Sequence, residues 1–320
     1  VALIDTSTGY PPFEGTISSN PDTGETYSVT IPFLGVKGLA STSTTDGGRL
    51  AAAASVSVGT PTQIANPNYL GFASFSSGGP RTGDSALKPD ISAPGVAIVS
   101  TASGSGNAAE VLSGTSMAAP HVAGVAALTR QAHPTWNVAA IKSAIVNTGD
   151  PAQVKAYRTS RGGTGLVQPG RSTAVQVVAQ SEDGRFSPSL SFGFHEINRD
   201  FRDTKTVMLK NLGATPATFS VSQVRAAGSP HTIDLGRHSV TVPARGVAFV
   251  EVTLKVPVLT VGASNGACLS FGEVAGIIEF APSNGTTNAG ATLRVPYYLV
   301  PRSLSDLSTS IGRLRGKDPS

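Results

Sequence analysis

A hydroxyl that could serve as a nucleophile stands at Ser116, in the stretch "SGTSMAAPHVAGVAALTR" (113–130). "EVL" (110–112) reads as a short strand, and "SGTS" as a tight strand-to-helix turn. A helix is predicted from about Ser116 to Arg130, with Pro120 in its first turn, where a missing N–H costs nothing. That helix is Ala, Val and Leu almost all round, the pattern of a buried helix. A serine at its start sits beside free backbone N–H groups and the positive end of the helix dipole, which favour developing negative charge. Such donors are half of an oxyanion hole built from backbone. Gly114 and Gly124 permit close approach of substrate or neighbouring chain. The same position also suits a second role, in which Ser116 only caps the helix.

A serine hydroxyl is a weak nucleophile at its free pKa and needs a neutral His and an orienting carboxylate. No histidine precedes His121. His121 lies five positions after Ser116, rotated about 140° away on a helix, so it reads as structural. His133, His195, His231 and His238 follow far downstream. Asp5, which ends "VALID" within "VALIDTSTG" (1–9), imitates an acid at a strand end, but no His motif follows it.

The twelve residues "SGTSMAAPHVAG" resemble the nucleophile motif of the subtilisin-like serine peptidases, the subtilases. "FASFSSGGP" (72–80) and "KPDISAPGV" (88–96) are similar to the segments that precede that serine in the family. "HPTWNVAAIKSAIVNTG" (133–149) and "GTGLVQPGRSTAV" (163–175) are similar to those that follow it. The resemblance implies Ser116 as nucleophile, with its own N–H donating to the oxyanion. It places Ser77, Gly78, Gly79 and Pro80 along the substrate cleft. It also implies a triad in the order Asp, His, Ser, and here the chain departs from the family. No upstream His motif is present, and the later histidines have no counterpart as bases. The residues after Asp5 look like the second half of a protease-associated domain instead. The triad Asp, triad His and oxyanion Asn are therefore expected ahead of Val1, with the chain a fragment and inactive when expressed alone. The implied partners are protein and peptide substrates, and the implied location is secreted or cell-surface. The mechanism requires no cofactor, and no acidic cluster has the spacing of a calcium loop.

The elements that must position these residues divide the chain into four expected zones. Residues 1–58 are read as the end of a protease-associated β-rich domain, with strand-like "VALID", strand-like "IPFLGVKG" and a short helix at "DGGRLAAAA". Residues 59–180 are the serine-bearing half of an α/β, parallel-sheet catalytic domain. Residues 181–303 hold six β runs separated by turns: "TKTVMLKN", "ATFSVSQV", "HSVTVP", "VAFVEVTLKV", "GIIEFAP" and "ATLRVPYYLV". They predict a fibronectin type III-like antiparallel sandwich of seven or eight strands, with no helix longer than one turn. Residues 304–320 are a tail.

Composition limits the alternatives. With 36 Gly, 22 Pro and 14% charged residues, the chain is too apolar for disorder and too interrupted for an all-helical fold. The net charge of +4, with no basic run before the tail, argues against a nucleic-acid partner. The lone Cys268 excludes an internal disulfide, and no apolar stretch reaches membrane-spanning length. An α/β-hydrolase esterase is disfavoured because Ser116 lacks the G-x-S-x-G elbow. A non-catalytic adhesion or binding protein on a subtilase scaffold remains the rival reading, since these residues contain no base.

Overall fold

The computed structural model describes residues 2–5, 22–26, 28, 34–37, 44–57, 69–183, 187–261 and 272–304. Cys268, the residues beyond 304 and most of residues 6–33 lie outside the described residues. The chain forms two compact units, Val1–Ser74 and Phe75–Ser320.

In the first unit, β1 (Ala2–Asp5) and β2 (Leu34–Lys37) pair in parallel, with Asp5 opposite Lys37. Helix α1 (Asp46–Ala52) starts at Thr45, whose hydroxyl accepts from the Gly48 N–H at 3.1 Å. The strand-like and Ala-rich segments expected at "VALID", "IPFLGVKG" and "DGGRLAAAA" contain these three elements.

The second unit begins with irregular chain and a hairpin, β3 (Ile98–Thr101) and β4 (Ala109–Leu112), paired antiparallel. Four helices follow: α2 (Thr115–Ala132), α3 (Val138–Asn147), α4 (Thr159–Gly162) and α5 (Pro169–Ala174). The Asn137 side chain caps α3 by accepting from the Ala140 N–H at 2.9 Å. Among the described residues, nine strands complete the unit. They are β5 (Val177–Ser181), β6 (Leu190–Ile197), β7 (Phe201–Asn211), β8 (Ala217–Gly228), β9 (Thr232–Leu235), β10 (Ser239–Val242), β11 (Val247–Val256), β12 (Val274–Pro282) and β13 (Leu293–Ser303).

These strands form a five-stranded sheet, β10-β8-β12-β13-β6, and a four-stranded sheet, β5-β7-β11-β9. All six β runs named from the sequence lie in strands. Beyond Ser181 the described helical turns are single 3-10 turns, at 258–260 and 287–290. Two details differ from the expected sandwich. Strand β5 adds a ninth member from residues assigned to the preceding zone, and β6 runs parallel to β13. The other pairs are antiparallel.

One hydrophobic core joins the helices to the sheets. It runs from Val125, Trp136, Ile141 and Ile145 through Val177 to Val207, Leu254, Phe280 and Leu293. A second cluster on the five-stranded sheet sets Ala275, Tyr298 and Val300 against Leu87. Coverage on both faces accounts for the near-continuous apolar run in β13. Polar side chains lock the junction. Asn147 accepts from the Ala179 N–H at 2.8 Å and donates to the Arg294 carbonyl at 3.1 Å. Asn288 accepts from the N–H groups of Gln176 and Val177 at 2.8 and 2.9 Å.

Three expectations for the serine-bearing zone need correction. First, α2 is not buried all round: only Val125 and Thr129 are, because the helix packs on α3, α5 and the segment at Gly95 while much of the rest of its surface stays exposed among the described residues. A Cβ on Gly124 would have nothing within 4 Å, so no close contact forces glycine there in this chain. Second, α2 begins at Thr115, so Pro120 lies inside it and supplies no N–H to the Ser116 carbonyl four residues back. Third, of the parallel sheet expected in 59–180, the described residues show the single parallel bridge Ser92–Leu166 beside the antiparallel hairpin.

Candidate active site

The turn that carries Ser116 is pinned from one side. The Gly114 N–H donates to the Gly95 carbonyl at 2.8 Å, and the Ser113 hydroxyl accepts from the Ala97 N–H at 2.8 Å. A Cβ on Gly95 would stand 2.8 Å from the Gly114 oxygen and 3.2 Å from Ala118 Cβ. Glycine at 95 is thus what lets "APG" (93–95) lie against the helix start. Gly95 and Ser113 are positioning residues that the sequence reading did not single out, and the glycine after proline was the available signal.

Gly114, not Ser116, is the N-cap of α2, and no side chain caps the helix. This removes the capping role for Ser116. Ser116 is the second helical residue, so its N–H is one of the first-turn donors without an intrahelical partner. No acidic residue in the first turn offsets the positive end of the dipole. The Ser116 side chain is exposed, and its hydroxyl has no hydrogen-bond partner among the described residues. Chemically, this is an accessible hydroxyl beside backbone donors suited to an anion, with no base attached.

The histidines are engaged elsewhere. His121 is exposed and its Nδ1 lies 2.8 Å from the Met117 carbonyl, within α2 itself. His133 caps the far end of α2, roughly 25 Å from Ser116 along an 18-residue helix. It is buried and stacked on Trp136 at 3.8 Å, its Nε2 has no partner, and burial pushes its pKa down. His195 lies against Phe201, and His231 Nε2 sits 2.7 Å from the Tyr297 hydroxyl. The His238 carbonyl accepts from the Val221 N–H across β8 and β10.

The loop carrying Ser77, Gly78, Gly79 and Pro80 docks on α4. The Gly79 N–H donates to the Ser160 carbonyl at 2.8 Å, and Arg161 Nη2 donates to the Ser76 carbonyl at 2.9 Å. A Cβ on Gly78 would lie 3.1 Å from the Ser160 oxygen, and one on Gly79 2.8 Å from the Lys88 oxygen. Close packing therefore explains both glycines, while Ser77 is exposed. No hydrogen bond joins this loop to Ser116 among the described residues.

Behind the site, "KPDIS" and "GTG" clasp one another. The Thr164 N–H donates to the Asp90 carbonyl at 3.1 Å, and the Val167 N–H to the Ser92 carbonyl at 2.8 Å. Gly163 and Gly165 have φ of +58° and +102°, and a Cβ on either would fall within 2.5 Å of backbone. Asp90 holds Lys88 at 2.6 Å and Lys142 at 3.1 Å.

Comparison with known proteins bears on this arrangement. Residues 37–193 match the model of the subtilase family. The chain is 44% identical over 119 residues to the Arabidopsis thaliana subtilisin-like protease SBT3.5, covering 36% of this chain and 14% of that protein. With SBT4.12 of the same plant it shares 48% identity over 94 residues, 26% of this chain and 13% of the relative. With SBT3.7 the identity is 32% over 222 residues, 63% of this chain and 26% of the relative. The chain thus spans no more than about a quarter of the length of these relatives. Among solved structures, the PapD-like domain 7 of human CEP192 aligns with 41% of this chain and 89% of its own at 14% identity, but its TM-score of 0.28 is too low to class the sandwich. The motif around Ser116, the segments that pin it and these matches agree: residues 37–193 carry a subtilase-family region.

Proposed function

We propose that this chain is the serine-bearing part of a secreted subtilisin-like serine endopeptidase that cleaves protein substrates through an acyl-enzyme on Ser116. The observation that carries the reading is an exposed, unpartnered Ser116 hydroxyl at the uncompensated N-terminus of α2. In the reaction, Ser116 Oγ adds to the peptide carbonyl carbon while a His takes its proton. The Ser116 N–H donates to the oxyanion, and the C–N bond breaks as the His returns the proton to the leaving amine. Water then releases the acyl group by the same steps. The His, its orienting Asp and a second oxyanion donor come from sequence outside this chain. That assignment is supported by the lack, among the described residues, of any histidine hydrogen-bonded to Ser116 and by the exposed face of an apolar helix. Ser77, Gly78, Gly79 and Pro80 border the substrate cleft in this reading. Residues 1–58, 59–180 and 181–303 derive from a protease-associated domain, the catalytic domain and a fibronectin type III-like sandwich.

The test is hydrolysis of a fluorogenic peptide library by the whole protein and its Ser116→Ala variant. Loss of turnover on the order of 10⁶-fold is expected, the cost known for the nucleophile in subtilisin. A variant as active as wild type overturns the assignment. The rival reading, a non-catalytic binding protein, is favoured by one observation, the absence of any base beside Ser116 among the described residues. A whole protein inert toward every peptide would support it.

A further inference from the structure

A cavity of about 330 Å³ opens between the loop ahead of α4 and strand β8, lined by Pro151, Tyr157, Arg158, Thr159 and Arg225 among others. That volume suits a small ligand. The lining contains two arginines and no carboxylate. Neither Arg158 nor Arg225 has an ion-pair partner among the described residues. Two like charges facing one cavity repel unless an anion lies between them.

The backbone supplies a second, independent observation. The register between β8 and β12 slips where Ala275 pairs with Ala227 and Ile277 with Val224, so Arg225 and Ala226 stand together opposite Gly276. This is a β-bulge, and bulges commonly re-aim a side chain beside a functional site. Arg225 has φ +54°, in the left-handed region that glycine adopts freely and arginine does not. A glycine would form this bulge with less strain, yet the position holds an exposed arginine on the cavity wall. Such retained strain marks functional positions. Tyr157 also lines it: its hydroxyl donates to the Gly163 carbonyl, and its pKa is pushed up to about 12 by burial, opposed by Thr159 and by the charges of Arg225 and Arg294.

We propose that this cavity binds one oxyanion, a phosphate, sulfate or carboxylate group, clamped between Arg158 and Arg225. The planar fork of arginine matches the paired oxygens of all three. The site faces the sandwich and is independent of the reading of Ser116.

The experiment is calorimetric titration of the 320-residue chain with inorganic phosphate, sulfate and succinate in separate runs at constant ionic strength, with sodium chloride as the control. One saturable site is expected for at least one of the three oxyanions, and the arms tell which group it prefers. Arg158→Gln and Arg225→Gly should each weaken binding about tenfold or more, and Arg199→Gln should leave it unchanged. Arg225→Gly removes the charge and relieves the backbone, so its melting temperature should hold or rise while binding falls. Should that variant misfold, Arg158→Gln decides by itself. No saturable site for any of the three anions, or equal affinity in Arg158→Gln, overturns the proposal.

Discussion

Ser116 and His133 stand at opposite ends of one helix, and their surroundings give them opposite chemistry. Ser116 is exposed beside free donors, so negative charge near it is favoured. His133 is buried against Trp136 with Nε2 unpartnered, so positive charge on it is disfavoured. Burial lowers its pKa below the unfolded value of about 6.5, opposed by a backbone contact at Thr173. Between the two values the folded chain binds fewer protons than the unfolded one. The stabilisation is therefore complete above about pH 6.5 and is lost as pH falls through the lowered pKa. His133→Phe, which keeps a ring for Trp136, should flatten the dependence of melting temperature on pH across this window. An unchanged slope in His133→Phe means that other groups set the acid sensitivity.

At the scale of elements, the clasp of "KPDIS" with "GTG" and the open face of α2 make contrasting demands on glycine. Gly165 has φ +102°, and a Cβ there would lie 2.3 Å from the backbone of Asp150 and Pro151. Gly165→Ala should cost about 2 kcal/mol or more, through strain and overlap together. Gly124→Leu should shift the melting point of this chain by no more than about 1 °C, because the position borders open space. Thermal melts of both variants test the pair, and equal losses would mean that α2 is covered in solution. The sequence showed α2, its turn and the six β runs because periodicity and turn residues are local. It did not show which faces of α2 are covered, because an apolar helix reads the same whether its partner is present or not. Strand β9 (Thr232–Leu235) escaped because "TIDL" breaks its β-branched residues with an Asp, whereas the equally short β10 keeps them in "SVTV". The parallel pairing of β6 with β13 escaped because it depends on residues about a hundred positions apart. The Ser116 motif was legible at once, whereas the pins at Gly95 and Ser113 depend on hydrogen bonds across the turn.

At the scale of the whole molecule, the helices and the sandwich share a core, and the side-chain amides of Asn147 and Asn288 join segments at their junction by hydrogen bonds to backbone groups. The region 75–304 therefore has no seam at which the sandwich would come away cleanly, and the serine turn rests on a folded base. Among the described residues, that base holds no proton acceptor hydrogen-bonded to Ser116. The central claim is that Ser116 is a nucleophile activated by groups from outside these 320 residues. The most direct test is active-site labelling by a fluorophosphonate, mapped by mass spectrometry, on the whole protein and on this chain side by side. The account predicts stoichiometric modification at Ser116 in the whole protein, none in Ser116→Ala, and only trace reaction in the isolated chain. Modification of a different serine in the whole protein, or equally rapid labelling of Ser116 in the isolated chain, would contradict it.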